Sequence, residues 1–220
     1  MKKILVSPSL MCADLLELKK EIKALEEAGA DYLHIDVMDG EFVPNIQLGN
    51  STAEAVRRAT DLPLDIHLMI NAPHIKLGYF DIREGDAVSV HYESTPHPGR
   101  VISEIKECGA RALLALNPAT PVNVCEGIAS LLDGILIMTV NPGYAGQKLI
   151  PDTLKKISEA RGLLDRAGMP DGIVEVDGNV SYENAKIMKK AGADMLVCGS
   201  SSLFDHRYPY AEAVKILKEV

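Results

Sequence analysis

The chain has 220 residues, 47% of them hydrophobic and 25% charged, with a formal net charge of −8. That length suits one large α/β domain with a sizeable core, and the acidic balance excludes a sequence-independent nucleic-acid binder, which needs a basic face. The apolar stretch after Met1-Lys-Lys is too short for a secretory leader and no run reaches the length of a membrane span, so a cytoplasmic protein with no membrane partner is expected.

Short β-rich runs alternate with amphipathic segments along the whole chain. A first strand is expected at 4–10 and a first helix at 14–28, where Leu15, Leu18, Ile22 and Leu25 share a face and Asp14 with Glu17 resembles a capping box. Further strands are expected at 32–38, 64–70, 87–93, 111–117, 134–140, 173–177 and 194–199. Helical patterns fill the gaps at 50–60, 73–83, 98–108, 121–132, 151–167, 181–191 and 208–219. Helix ends repeat a phrase: Glu26-Glu-Ala-Gly-Ala-Asp31, Lys106-Glu-Cys-Gly-Ala-Arg111 and Lys189-Lys-Ala-Gly-Ala-Asp194 each put glycine just past the last turn and lead into a strand. Eight such units, without a break in composition, predict a single (β/α)8 TIM barrel over residues 1–220, acting as one catalytic domain. An open doubly wound sheet is the alternative; it usually carries a Gly-rich turn after the first strand, and Val6-Ser-Pro-Ser-Leu10 has none.

Four polar residues interrupt runs that would otherwise be apolar. His34 and Asp36 lie in the second strand, His67 in the third and Asp177 at the end of the seventh. An ionisable group there is costly unless paired or bound to a metal, and two imidazoles with two carboxylates make a cation site. His34, Asp36 and Met38 share parity and face one side of their strand, as do His67 and Met69, while Met138 comes late in the sixth strand. A lone strand histidine is more often a hydrogen-bonded core residue, and Asp177-Gly178 alone could be a turn. Four such accidents at one end of a barrel are harder to accept. The methionines are core filler or an apolar cap that keeps water off reacting carbons.

Several blocks together resemble the ribulose-phosphate 3-epimerase family: Ser7-Pro-Ser-Leu10, His34-Ile-Asp-Val-Met-Asp-Gly-Glu-Phe-Val-Pro-Asn45, His67-Leu-Met69, Met138-Thr-Val-Asn-Pro-Gly-Tyr-Ala-Gly-Gln147, Glu175-Val-Asp-Gly178 and Gly199-Ser200. The resemblance runs in order over essentially the whole chain. It implies a (β/α)8 barrel that inverts C3 of a ketose phosphate with one divalent ion per chain. It assigns metal binding to His34, Asp36, His67 and Asp177, the two acid/base roles to Asp36 and Asp177, and substrate contact to Ser9, His67 and the Gly-containing loops. The chemistry accounts for that inventory. A proton next to a ketone is too weakly acidic for a bare carboxylate, so a cation must polarise the carbonyl. Inversion also needs an acid and a base on opposite faces of the flat intermediate.

Gly143-Tyr144-Ala145-Gly146, Gly178-Asn179 and Gly199-Ser200-Ser201 follow the sixth, seventh and eighth strands, where backbone N–H groups can hold a phosphate without a basic cluster. Met11-Cys12, Ala145 and Asn179 look like the family branch acting on D-allulose 6-phosphate, which slightly favours that substrate over D-ribulose 5-phosphate; Gly49 points the other way. A hexulose-phosphate synthase would carry a lysine in the Asp36-Val-Met-Asp39 block, and a non-catalytic sugar-phosphate binder would not need both Asp36 and Asp177. The donor set suits Zn, Mn, Fe, Co or Mg. His91 and Glu93 end the fourth strand and Asn117 the fifth, fitting a supporting role, whereas His74, His97 and His206 look like surface residues. The cysteines at 12, 108, 125 and 198 show no CxxC pair and are expected as reduced, mostly buried thiols. A homo-oligomer is implied by the resemblance.

Overall fold

A computed structural model describes residues 3–220; Met1 and Lys2, part of the segment weighed as a leader, lie outside the described residues. The strands are β1 (Leu5–Pro8), β2 (Leu33–Asp39), β3 (Ile46–Gln47), β4 (Leu64–Met69), β5 (Ala87–His91), β6 (Arg111–Leu116), β7 (Gly134–Met138), β8 (Ile173–Asp177) and β9 (Met195–Cys198). The α-helices are α1 (Leu18–Glu27), α2 (Asn50–Arg57), α3 (Pro73–Lys76), α4 (Pro98–Glu107), α5 (Thr153–Arg166), α6 (Tyr182–Ala191) and α7 (Tyr210–Lys218). The sheet runs β1-β9-β8-β7-β6-β5-β4-β2-β3, and every pairing is parallel except that of β2 with the two-residue β3. Among the described residues, the ring closes between β1 and β2 through one parallel bridge, Ser9 to His34, supported by Asp31 N–H to Val6 O at 2.9 Å. This is the expected barrel, with a thin seam beside the site.

All eight expected strands form, each ending within a few residues of its expected bound. The short β3 was not foreseen, because two residues carry no readable alternation. Three outer segments differ in kind. The helix expected at 73–83 is a single α-turn, Pro73–Lys76, continued by a 3-10 turn, Leu77–Tyr79. Val122–Leu131 winds as a 3-10 helix, where β-branched Val122 and Val124 and the mid-segment Gly127 lower α-helical propensity. Near the start, Asp14 accepts the Leu16 N–H at 2.9 Å and caps a 3-10 turn, Leu15–Glu17, before α1 begins. That turn shifts the helical phase, so Ile22 and Leu25 are buried while Leu15 is 58% exposed and leaves the predicted core face. The repeated glycine phrase behaves as read: Gly29, Gly109 and Gly192 have φ of +84°, +82° and +114°, the left-handed conformation that ends a helix.

Stability is concentrated outside the ring. Outward-facing strand residues such as Ile35, Ile66, Val88, Leu114, Ile135 and Val174 pack against the helices with no exposure above 1%. Each contributes about 1.5–3 kcal/mol by burial. Inside the ring, Leu5, Tyr32, Ala87, Leu113, Ile173 and Met195 plug the floor. Above that plug the interior turns polar: Ser7, His34, Asp65, His67, Ser89, His91 and Glu175 are all 0% exposed. A packed barrel does not need that polarity, so the upper interior is where function displaces packing.

Candidate active site

Parallel pairing sets the lateral order of the polar residues. Asp36 on β2 is in register with His67 on β4, and His34 with Asp65 one layer below. Asp177 ends β8 opposite Met138 of β7. The side chains of His34, Asp36, His67 and Asp177 consequently converge, each offering one donor atom within 4.8 Å of the others. His34 Nε2 lies 3.2 Å from Asp36 Oδ1, and His67 Nδ1 lies 3.3 Å from Asp36 Oδ1 and 3.7 Å from Asp177 Oδ2. Ser9 donates its hydroxyl to Asp36 Oδ2 at 2.6 Å.

The two aspartates sit in different electrostatic surroundings. Burial drives Asp36 upward, but the charge and hydrogen bond of His34, with the nearby His67 ring, outweigh it and hold the carboxyl far below its usual range. Asp177 is pushed up to about 7, first by burial and then by the negative charge of Asp36. One carboxylate therefore favours the ionised form and the other keeps a proton near neutrality. His34 is raised well above its ordinary value because Asp65 and Asp36 overcome the opposing effect of burial. Burial lowers His67.

This donor set fits a divalent cation. Two ring nitrogens and two carboxylates face one point, a combination common to zinc and its neighbours. His67 Nδ1 is buried without a hydrogen bond, and carboxylate oxygens of Asp36 and Asp177 lie 3.3 and 3.7 Å from it. From behind, His34 Nδ1 donates to Asp65 Oδ2 at 2.6 Å, and Ser7 donates to the same oxygen at 2.8 Å. A carboxylate behind a ring nitrogen orients the imidazole so that its other nitrogen points at the ion.

A cavity opens directly above the cluster. Ser9, Asp36, Asp177, Met38, Met69 and Met138 line its floor, and its rim is formed by Gly143-Tyr144-Ala145-Gly146, Gly178-Asn179 and Gly199-Ser200-Ser201. His34 and His67 are fully buried beneath that floor rather than on the wall. Met38 and Met69 pack together with Val43, whereas Met138 packs with Ala115 and Leu136. Among the described residues, no lysine or arginine lines the cavity. The loop after β7 is tied to the segment after β2: Asn45 Nδ2 donates to Gly143 O at 2.9 Å and the Tyr144 hydroxyl donates to Pro44 O. Asn179 has φ +47° and joins the three rim loops, accepting the Leu149 N–H at 3.2 Å and donating to Ser201 Oγ at 3.0 Å.

Sequence reasoning passed over Asp65, Glu175 and Ser7, although parity could have found them. Asp65 is two residues before His67, Glu175 two before Asp177 and Ser7 two before Ser9, so all three share the inward face. Burial and the Asp65 charge raise Glu175 well above its ordinary value, making it a neutral acid beside the ionised Asp65. Cys12, Asn141 and Gln147 also line the cavity. His74, His97 and His206 are exposed, as expected. Of the thiols only Cys125 and Cys198 are buried; Cys108 is exposed, so the expectation of mostly buried cysteines holds for half of them.

Comparison with known proteins agrees with this geometry. Residues 5–204 match the model of the Ribulose-phosphate 3 epimerase family. The chain is 50% identical over 198 residues to the ribulose-phosphate 3-epimerase of Bacillus subtilis, covering 90% of this chain and 91% of that one. It is 46% identical over 217 residues to the chloroplastic ribulose-5-phosphate-3-epimerase of Arabidopsis thaliana, covering 98% and 76%. Among solved structures, KGPDC from Streptococcus mutans is similar with a TM-score of 0.69 at 13% identity, covering 99% of this chain and 97% of that one, which shows a shared fold.

Proposed function

Because this chain belongs to the ribulose-phosphate 3-epimerase family and is an isomerase, we propose that it interconverts D-ribulose 5-phosphate and D-xylulose 5-phosphate. The reaction removes the C3 proton from one face and returns a proton to the other. The observation that carries this reading is the pair Asp36 and Asp177, whose carboxyl groups come from different strands, converge with His34 and His67 and border one cavity. They stand on β2 and β8, separated round the ring by β9 and β1, and so approach a bound sugar from different sides. The ionised Asp36 takes the proton while the protonated Asp177 supplies one; in the reverse direction the roles exchange. Met38, Met69 and Met138 keep water from the reacting carbons.

The family uses one divalent metal ion. His34, Asp36, His67 and Asp177 would hold it, and when bound it polarises the carbonyl beside C3 and acidifies the C3 proton. The phosphate end is assigned to the rim loops after β7, β8 and β9, where backbone N–H groups supply the donors in the absence of a basic side chain. Ser9 holds Asp36 in place and meets the sugar from the floor.

The relatives' names move the preference from the hexulose phosphate to the pentulose phosphate. Asn179, one of the residues that suggested the hexulose, has a local reason to be present, since its positive φ and its bonds to two other loops serve the rim whatever the sugar. The barrel is read as one catalytic domain. A cytoplasmic location agrees with four cysteines that form no disulfide, and a homo-oligomer follows the family resemblance. The decisive experiment compares kcat/KM for D-ribulose 5-phosphate and D-allulose 6-phosphate with metal-replete protein. The pentulose is expected to be favoured at least tenfold, and a higher value for the hexulose would overturn the assignment.

A further inference from the structure

We propose that His91 and Glu93 are positioning residues that set the tautomer of His67, so that its Nδ1 is the bare atom offered to the divalent ion. The proposal rests on the reading of the four-residue cation site above, and adds a second row of groups behind it.

His67 Nε2 and His91 Nε2 lie 2.8 Å apart, with the two rings stacked at 24° and 5.0 Å between centroids. A contact of that length between two ring nitrogens holds one proton. Two protons would collide, and none would leave two lone pairs facing each other. On its far side His91 Nδ1 faces Glu93 Oε2 at 3.4 Å. No hydrogen bond forms at that distance, but a carboxylate only accepts, and its negative charge favours the tautomer with the proton on the facing nitrogen. A neutral His91 protonated there presents a bare Nε2, and the shared proton then belongs to His67 Nε2. A neutral His67 protonated at Nε2 is in turn bare at Nδ1, the atom 3.3 Å from Asp36 Oδ1 and 3.7 Å from Asp177 Oδ2.

The same order is reached from the front. If an ion occupies His67 Nδ1, the ring's proton must be on Nε2, and His91 must accept it. Both imidazoles are 0% exposed, shielded from bulk solvent. Glu93 is itself held, its Oε1 accepting the Asn117 N–H at 3.0 Å and the Thr120 hydroxyl. Phe42 covers the His91 ring at 4.7 Å between centroids. This row belongs to β5 and the turn after it, and none of its members borders the cavity.

The test titrates Co²⁺ into metal-free full-length protein against a competing chromophoric chelator. His91→Leu, which offers no acceptor to His67 Nε2–H, is expected to weaken Co²⁺ binding about 10- to 100-fold. His91→Gln, whose amide oxygen can accept that proton, is expected to recover most of the loss. Glu93→Ala should fall between them. In zinc-loaded wild-type protein, ¹⁵N spectra are expected to show His91 protonated at Nδ1 and bare at Nε2. A purely structural role would lower the melting temperature of both His91 variants and leave Co²⁺ affinity alone, which would overturn the proposal. A His91 proton found on Nε2 would overturn it without any variant. Wild-type protein that takes up no Co²⁺, or His34→Ala that binds as wild type, would instead remove the cation site on which the proposal stands.

Discussion

Asp36 and Asp177 carry the same functional group, and their neighbours push the two carboxyls in opposite directions. Two histidines face Asp36; Asp177 faces Asp36 itself, and its carboxyl is 18% exposed at the lip of the strand. Asparagine keeps the shape of either side chain but can neither take nor give the proton. Asp36→Asn and Asp177→Asn are each expected to lower kcat about a thousand-fold while retaining a cooperative thermal transition. Rates from a coupled assay within tenfold of wild type in either variant would contradict the two-residue scheme.

The rim loops act as one element because they are linked side to side. Gly178 closes that arrangement. It has φ +115°, and a Cβ there would come within 2.6 Å of Val140 Cγ2, so no other residue fits without moving the β7 loop. Gly146 differs: its φ of +79° restricts side chains, yet open space surrounds its Cβ position. Aspartate and asparagine both tolerate that conformation, so the pair separates charge from strain. Gly146→Asp is expected to raise KM for a sugar phosphate about tenfold above Gly146→Asn through repulsion of the phosphate. Equal KM values for the two variants would take this loop out of the phosphate site.

At the scale of the whole barrel, an apolar strand–helix shell supports an interior with several buried ionisable groups. Such groups destabilise the ring unless each is paired, and at the four converging donors two carboxylates crowd together while His67 Nδ1 has no hydrogen bond. A bound ion should therefore stabilise the fold as well as serve the chemistry. Protein with metal in excess of Kd by a hundredfold gains about 2.7 kcal/mol, which corresponds to roughly 5–11 °C for a domain of this size. Removing metal with a chelator is expected to lower the melting temperature by that amount, and re-addition of Co²⁺ or Zn²⁺ should restore it. No change on chelation would count against the site. No helix among the described residues is long and apolar enough to cross a membrane.

How much of this was legible follows from the range of each interaction. Strand placement, the glycine helix ends and the inward parity of His34, Asp36, His67 and Asp177 are local properties, written in periods of two and in single residues that stop a helix. They were enough for the barrel and its four-residue cluster. Leu15 was misplaced because one 3-10 turn changes the phase of everything before it, and no propensity marks where that turn ends. The pairing of His34 with Asp65, the row His67–His91–Glu93 and the links between the rim loops depend on the register of neighbouring strands. Register is settled by closure of the whole ring through contacts between residues far apart in the chain, and that information does not reside in any one segment.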